Sequence, residues 1–184
     1  MSRLWLLRHA PTDAAPGLCY GKTDVDAPAE ATLAVAQRAI HLVPAGIVLR
    51  CSPLRRCADL GRAIGMLRPG SIVQTDPRLA EMDFGAWEGR PWSSIPRAEF
   101  EAWTARFADA CPGGDGESTR RFMQRVGEAF DQWQASGQDA LWVTHAGVMR
   151  AAQLLQRGMR SVERADEWPS APMGYGELLV IDMP

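Results

Sequence analysis

The chain has 184 residues, 46% of them hydrophobic and 23% charged, with a net charge of −2 and a pI near 5.9. That composition fits one globular domain, residues 1–184, able to bury roughly 70% of its unfolded surface. It excludes nucleic acid or an anionic membrane as the bulk partner, so anions must be handled locally by a few placed arginines.

Taken in order, the first element is Leu4-Trp5-Leu6-Leu7, a short buried strand that gives way at once to Arg8-His9. The apolar stretch ahead of Arg8 is too short for a signal peptide. No run approaches the ~18 residues of a membrane span, so a cytoplasmic location is expected. Residues 11–28 then form a long Pro/Gly-rich loop, a length that favours a functional role. Helix spacing returns over 29–43, with Leu33, Ala36, Ile40 and Val43 on one face, and Pro44 and Gly46 stop it.

Ile47-Val48-Leu49 is a second buried strand. Ser52-Pro53 after it reads as a helix start, Ser as N-cap and Pro at the first helical position. Arg55 and Arg56 fall in that helix's first turn, where cations oppose the macrodipole. Their placement makes physical sense if an anion binds there. Ile72-Val73 suggests a third strand, and 79–92 a structured loop. Ser94 to Ala110 and Glu117 to Ser136 are helices whose aromatic stripes belong to the core. Leu141-Trp142-Val143 is a strand ending in Thr144-His145, followed by another helix, and Glu177 to Asp182 is the last strand. Strands interleaved with helices make this an α/β protein, a three-layer α/β/α sandwich with a mainly parallel central sheet.

The four cysteines contain no C-x-x-C pair, and histidine occurs three times, at 9, 41 and 145. That supply argues against zinc and for reduced, buried thiols, and no metal or cofactor is expected. His41 has no partner motif and reads as a surface or structural residue.

Three strand ends therefore carry the same kind of residue: Arg8 and His9, then Arg55 and Arg56, then His145. In a parallel sheet they converge on the crevice at the carboxyl ends of the strands. Two histidines and two or more arginines at helix N-termini describe an oxyanion site, and phosphate fits best.

Four stretches, Leu-Leu-Arg-His-Ala-Pro-Thr (6–12), Ser-Pro-Leu-Arg-Arg-Cys-Ala (52–58), Leu-Ala-Glu-Met-Asp-Phe-Gly-Ala-Trp-Glu-Gly (79–89) and Val-Thr-His-Ala-Gly-Val-Met-Arg (143–150), resemble the motifs of the histidine phosphatase superfamily. The family has a phosphoglycerate mutase-like fold. Gly-Leu-Cys-Tyr-Gly-Lys-Thr-Asp (17–24) and the short chain resemble its α-ribazole phosphatase branch, of cobalamin biosynthesis.

The resemblance implies a metal-independent phosphomonoesterase acting on a small phosphorylated metabolite, with α-ribazole 5′-phosphate as the candidate. It implies His9 as a nucleophile that becomes a phosphohistidine, Arg8, Arg56 and His145 as phosphate ligands, and Glu81 as the general acid, with Asp83 and Glu88 as nearby competitors. Tyr20, Lys22 and Thr23 are candidate contacts to the substrate, and Arg55 is expected to face solvent or stand behind the site. The family usually has glycine after the nucleophile and often an acid next; here Ala10 and Pro11 stand there, which stiffens the rim without removing a catalytic group. Phosphoglycerate mutase-type transfer, a protein-phosphohistidine phosphatase and a non-catalytic phosphate-binding module remain as alternatives. The oligomeric state is open.

Overall fold

A computed structural model of the chain describes residues 2–183. Its elements are β1 (Ser2–Arg8), α1 (Ala29–Leu42), β2 (Val48–Cys51), α2 (Arg55–Leu67), β3 (Val73–Thr75), α3 (Arg97–Ala105), α4 (Thr119–Ser136), β4 (Ala140–Thr144), α5 (Ala146–Gln156) and β5 (Leu178–Met183). The five strands form one sheet in the order β3-β2-β4-β1-β5. All neighbours are parallel except β1 and β5. The expected three-layer α/β architecture is therefore present, with one antiparallel edge.

The strands read as continuous apolar runs because both faces of the sheet are covered. Side chains alternate between the faces. Leu4, Leu6, Ala140 and Trp142 pack with α4 and α5, and Trp5, Leu7, Leu141 and Val143 pack with α1 and α2. β4 is buried along its whole length.

Two helix starts differ from expectation. Helix α2 begins at Arg55 rather than Pro53, with Leu54 extended at φ −65°, ψ 135°. Ser52 is not its N-cap: Leu54 holds that position, and the Ser52 N–H continues the sheet by donating to the Val143 carbonyl at 3.0 Å. Its hydroxyl accepts the Leu54 N–H at 3.3 Å and has a second, closer partner described below. Helix α3 is shorter than 94–110. Ile95 precedes Pro96, a position that disfavours helical backbone, and is extended; Ser94 instead closes the single 3-10 turn Trp92–Ser94. Helix α4 matches its periodicity and is capped by Ser118, whose hydroxyl accepts the Arg121 N–H at 3.4 Å.

Register aligns the strand ends. Arg8 lies opposite Thr144 in the β1–β4 pair, and Cys51 opposite Val143 in the β2–β4 pair. Residues just past these ends, 9, 52 and 145, consequently meet at one edge of the sheet.

Candidate active site

At that edge opens a cavity of about 530 Å³ whose walls include Arg8, His9, Arg56, Glu81 and His145. Residues separated by up to 137 positions are neighbours because β1, β2 and β4 end at one level. The rings of His9 and His145 lie 5.2 Å apart, centroid to centroid, tilted by 59°.

His9 follows β1, and its N–H donates to the Thr144 carbonyl at 3.1 Å. Its side chain is 2% exposed, with Nδ1 2.8 Å from the Ala10 carbonyl oxygen. A carbonyl can only accept, so Nδ1 carries the proton in this contact and Nε2 keeps its lone pair. Burial lowers the His9 pKa from 6.5 to about 3, the Ala10 hydrogen bond opposes the shift, and the Arg56 and Arg8 charges add to it. Position 10 carries alanine without strain, because no non-glycine residue among those described has positive φ.

His145 caps the start of α5 and is likewise buried. Burial pushes its pKa well below 6.5, with Arg56 and His9 contributing. Its Nε2 lies 2.8 Å from the Ser52 hydroxyl, so Ser52 fixes the rotation of the ring. The sequence reading gave Ser52 to the helix cap; its signal is its position just past β2, level with His145. The Cys57 sulfur lies 3.5 Å from the same nitrogen, but burial holds that thiol neutral.

Arg56 is 1% exposed, and its Nη atoms donate to the Thr23 and Gly21 carbonyls at 2.8 and 2.6 Å. Arg8 sits with its guanidinium 4.1 Å from the Tyr175 ring centroid and donates to the Met173 carbonyl. Nε of both arginines is buried without a hydrogen-bond partner. An orphaned buried donor costs about 1–3 kcal/mol. Arg55, the other cation of the pair, pairs instead with Asp24 and Asp26 at the surface.

The Glu81 carboxylate enters the same cavity from the loop after β3. Its Oε1 accepts the Met82 N–H and its Oε2 the Gly147 N–H, both at 3.0 Å. The second contact seats it on the N-terminus of α5, a favourable place for negative charge. A Cβ on Gly147 would come within 2.1 Å of Glu81 Oε1, so only glycine permits this seat. Arg125 clamps the preceding backbone, donating to the Arg78, Ala80 and Glu81 carbonyls while its fork grips Glu117.

Asp83 and Glu88, the two neighbouring acids, are engaged elsewhere. Asp83 pairs with Lys22 at 2.7 Å. Glu88 accepts the N–H groups of Gly21, Lys22, Thr23 and Phe84, together with the Thr23 hydroxyl. It thereby bolts the 17–24 loop to the 79–92 loop. At Gly21 a Cβ would lie 1.8 Å from the Met82 carbonyl, which is why the two loops can approach so closely.

Of the three candidate substrate contacts, Tyr20 lines the cavity and Lys22 and Thr23 do not, their side chains facing Asp83 and Glu88. Sequence reasoning missed Tyr175, whose hydroxyl is 2.8 Å from that of Tyr20 and whose ring is 5.6 Å from that of His9. It arrives because β5 runs antiparallel to β1. The chain entering β5 therefore passes the end of β1, with the Gly176 N–H donating to the His9 carbonyl at 3.0 Å. Phe84 and Trp92 complete the rim in edge-to-face contact.

Two neutral buried histidines set a pH dependence of stability. The unfolded chain takes up a proton near pH 6.5 and the folded state holds His9 unprotonated down to about 3. Stability is therefore full above pH 6.5 and declines as the pH falls toward 3, by up to about 1.4 kcal/mol per pH unit from each such histidine. In urea unfolding from pH 7.5 to 4.5, His9→Gln should show a shallower loss of stability than the native chain. Parallel curves would show that His9 does not carry the effect.

The model of the histidine phosphatase superfamily (branch 1) matches residues 4–174. The chain belongs to this superfamily, and it is a phosphatase. It is 33% identical over 163 residues to an adenosylcobalamin/α-ribazole phosphatase of Escherichia coli K12, covering 80% of this chain and 75% of that one. A probable phosphoglycerate mutase of Yersinia enterocolitica is 30% identical over 156 residues, covering 79% and 70%. Among solved structures, the α-ribazole phosphatase from Shigella flexneri superposes with a TM-score of 0.81 at 28% identity, covering 99% of this chain and 91% of that one. Among the described residues no helix is long and apolar enough to cross a membrane.

Proposed function

We propose that the chain hydrolyses a small phosphorylated metabolite through a phosphohistidine at His9, with α-ribazole 5′-phosphate as the substrate to try first. The observation that carries the mechanism is the Nδ1–H of His9 bonded to the Ala10 carbonyl, which leaves Nε2 free inside a cavity walled by Arg8, Arg56 and His145.

Nε2 attacks phosphorus as the ester P–O bond breaks. Arg8, Arg56 and His145 hold the non-bridging oxygens, the electrostatic contribution that dominates phosphoryl transfer. Glu81 takes up a proton as the anionic phosphoryl group enters beside it, and gives that proton to the departing alkoxide. The Glu81 carboxylate then takes a proton from the water that attacks the phosphohistidine, and orthophosphate leaves with His9 and Glu81 restored. No step requires a metal. The choice of substrate is supported by the relatives in Escherichia coli and Shigella flexneri, whose names carry it.

The test is orthophosphate release from a panel containing α-ribazole 5′-phosphate, phosphoserine and 3-phosphoglycerate, in chelator. Expected are turnover without metal and the highest kcat/KM for α-ribazole 5′-phosphate. Interconversion of phosphoglycerates outpacing orthophosphate release would replace hydrolysis by mutase transfer. Tight binding with no turnover of any ester would leave a phosphate-binding module.

A further inference from the structure

Glu81 borders three cavities, that of the active site and two others of about 430 and 280 Å³. A half-buried side chain in so thin a partition is not fixed by close packing on all sides, so its direction rests on hydrogen bonds. The Met82 and Gly147 N–H groups hold the carboxylate at its far end. The direction in which the side chain leaves the main chain is set by the two peptide units that flank its Cα, because the backbone has only those two soft dihedrals there.

Arg125, on α4, holds both units. Its Nη1 donates to the Ala80 carbonyl at 2.7 Å and to the Arg78 carbonyl at 2.8 Å, and its Nη2 donates to the Glu81 carbonyl at 3.1 Å. Among the described residues no other side chain donates to either flanking carbonyl. The Leu79 carbonyl between them accepts the Thr144 hydroxyl at 2.8 Å, so the carbonyls of 78 to 81 are all tied to α4 or β4. The remaining donors of Arg125, on Nε and Nη2, grip the two oxygens of Glu117 at 2.7 and 2.8 Å. All five N–H groups of the guanidinium are thereby engaged, three on carbonyls and two on Glu117, a fork that lysine cannot reproduce. The Glu117 carboxylate offsets the positive charge, so Arg125 acts on Glu81 through geometry rather than as a competing cation.

We propose that Arg125 is a positioning residue for the reaction: by fixing both peptide units around Glu81, it aims the carboxylate at the oxygen of the departing alcohol. The inference rests on the phosphatase reading, in which Glu81 is the general acid, and adds the residue that places that acid. Proton transfer needs the donor within about 2.6–3.2 Å of the oxygen it serves. A displacement of about 1 Å caused by a change far from the chemistry costs on the order of 10²-fold in rate. Arg125 reaches Glu81 through the main chain alone, so losing it should slow only those esters whose alcohol must be protonated to leave.

The experiment combines Arg125→Met with Glu117→Gln, which leaves neither charge without its partner. It measures kcat/KM, which covers the steps up to the departure of the alcohol, for p-nitrophenyl phosphate and for the fastest alkyl ester of the panel above. The expected result is a loss of at least about tenfold on the alkyl ester and of less than about threefold on the aryl ester, whose phenolate leaves without a proton. The ratio of the two values does not depend on how much of the variant is folded, so instability cannot imitate the split. Adding Glu81→Gln should widen the split no further than Glu81→Gln does alone, because Arg125 acts through that residue. Equal losses on the two esters, no loss on either, or a further widening when Glu81→Gln is added overturns the proposal and leaves the phosphatase reading standing. If Glu81→Gln alone produces no split, the general acid is lost from the phosphatase reading, and this proposal falls with it.

Discussion

In the His9→Ala variant, kcat for aryl phosphate hydrolysis should fall by at least about 10³-fold, as when a covalent nucleophile is removed from a unit that acts together. Binding of orthophosphate should change little, because Arg8 and Arg56 keep the contacts that hold them. Arg56 is anchored on the carbonyls of 21 and 23, and Arg8 on the carbonyl of 173 and the ring of Tyr175. Rapid quenching of the native enzyme should trap an acid-labile phosphoprotein that the variant lacks. Added imidazole should restore part of the variant's rate, since it supplies the missing nitrogen to a space shaped for it. A variant retaining full activity would remove His9 from the mechanism. Loss of orthophosphate binding in parallel with rate would make His9 a ligand rather than a nucleophile.

The second large effect concerns Glu81, and its signature is a dependence on the leaving group. A general acid contributes about 10²–10⁴-fold where the alcohol is a poor leaving group. Glu81→Gln should lower kcat by that amount for an alkyl phosphate ester, and far less for p-nitrophenyl phosphate, whose phenolate departs without a proton. Gly147→Ala should act in the same direction through position alone, since its methyl group would occupy the space of Glu81 Oε1. Equal losses on both esters would show that the carboxylate serves binding or structure instead. The same comparison on Asp83 should show no such split, because Asp83 is tied to Lys22 and to the Gly85 N–H.

What brought the site within reach of the sequence was chemistry concentrated at breaks in apolar runs. Arg8-His9 and His145 follow unbroken strands buried on both faces, and such strands end at one edge when they pair in parallel. The residues that escaped notice depend on pairings invisible in a linear chain. Ser52 is a plausible helix cap by every local rule, and only the β2–β4 register, which sets it level with His145, gives its hydroxyl a better partner. Tyr175 lies in a Gly/Pro-rich stretch with no periodicity, and its place beside Arg8 follows from the single antiparallel pair. Lys22 and Thr23 looked like site residues because their loop is in the cavity wall. The acids that hold them, Asp83 and Glu88, sit in the facing loop, roughly sixty positions away. Helix α3 is shorter than its aromatic spacing suggests: Pro96 keeps Ile95 out of helical backbone at the start, and the helix ends at Ala105 although the spacing runs on to Phe107.

The strand order also governs when the enzyme comes to exist on the ribosome. The first strand leaves the exit tunnel long before its two neighbours in the sheet, β4 and β5, which begin at residues 140 and 178. Until those residues are translated, Leu4 to Leu7 have no edge to pair with, and contacts so distant along the chain form slowly. The nascent chain must therefore carry an unpaired apolar strand until residue 140 has been made. The cavity wall gains Tyr175 only once β5 has docked beside β1.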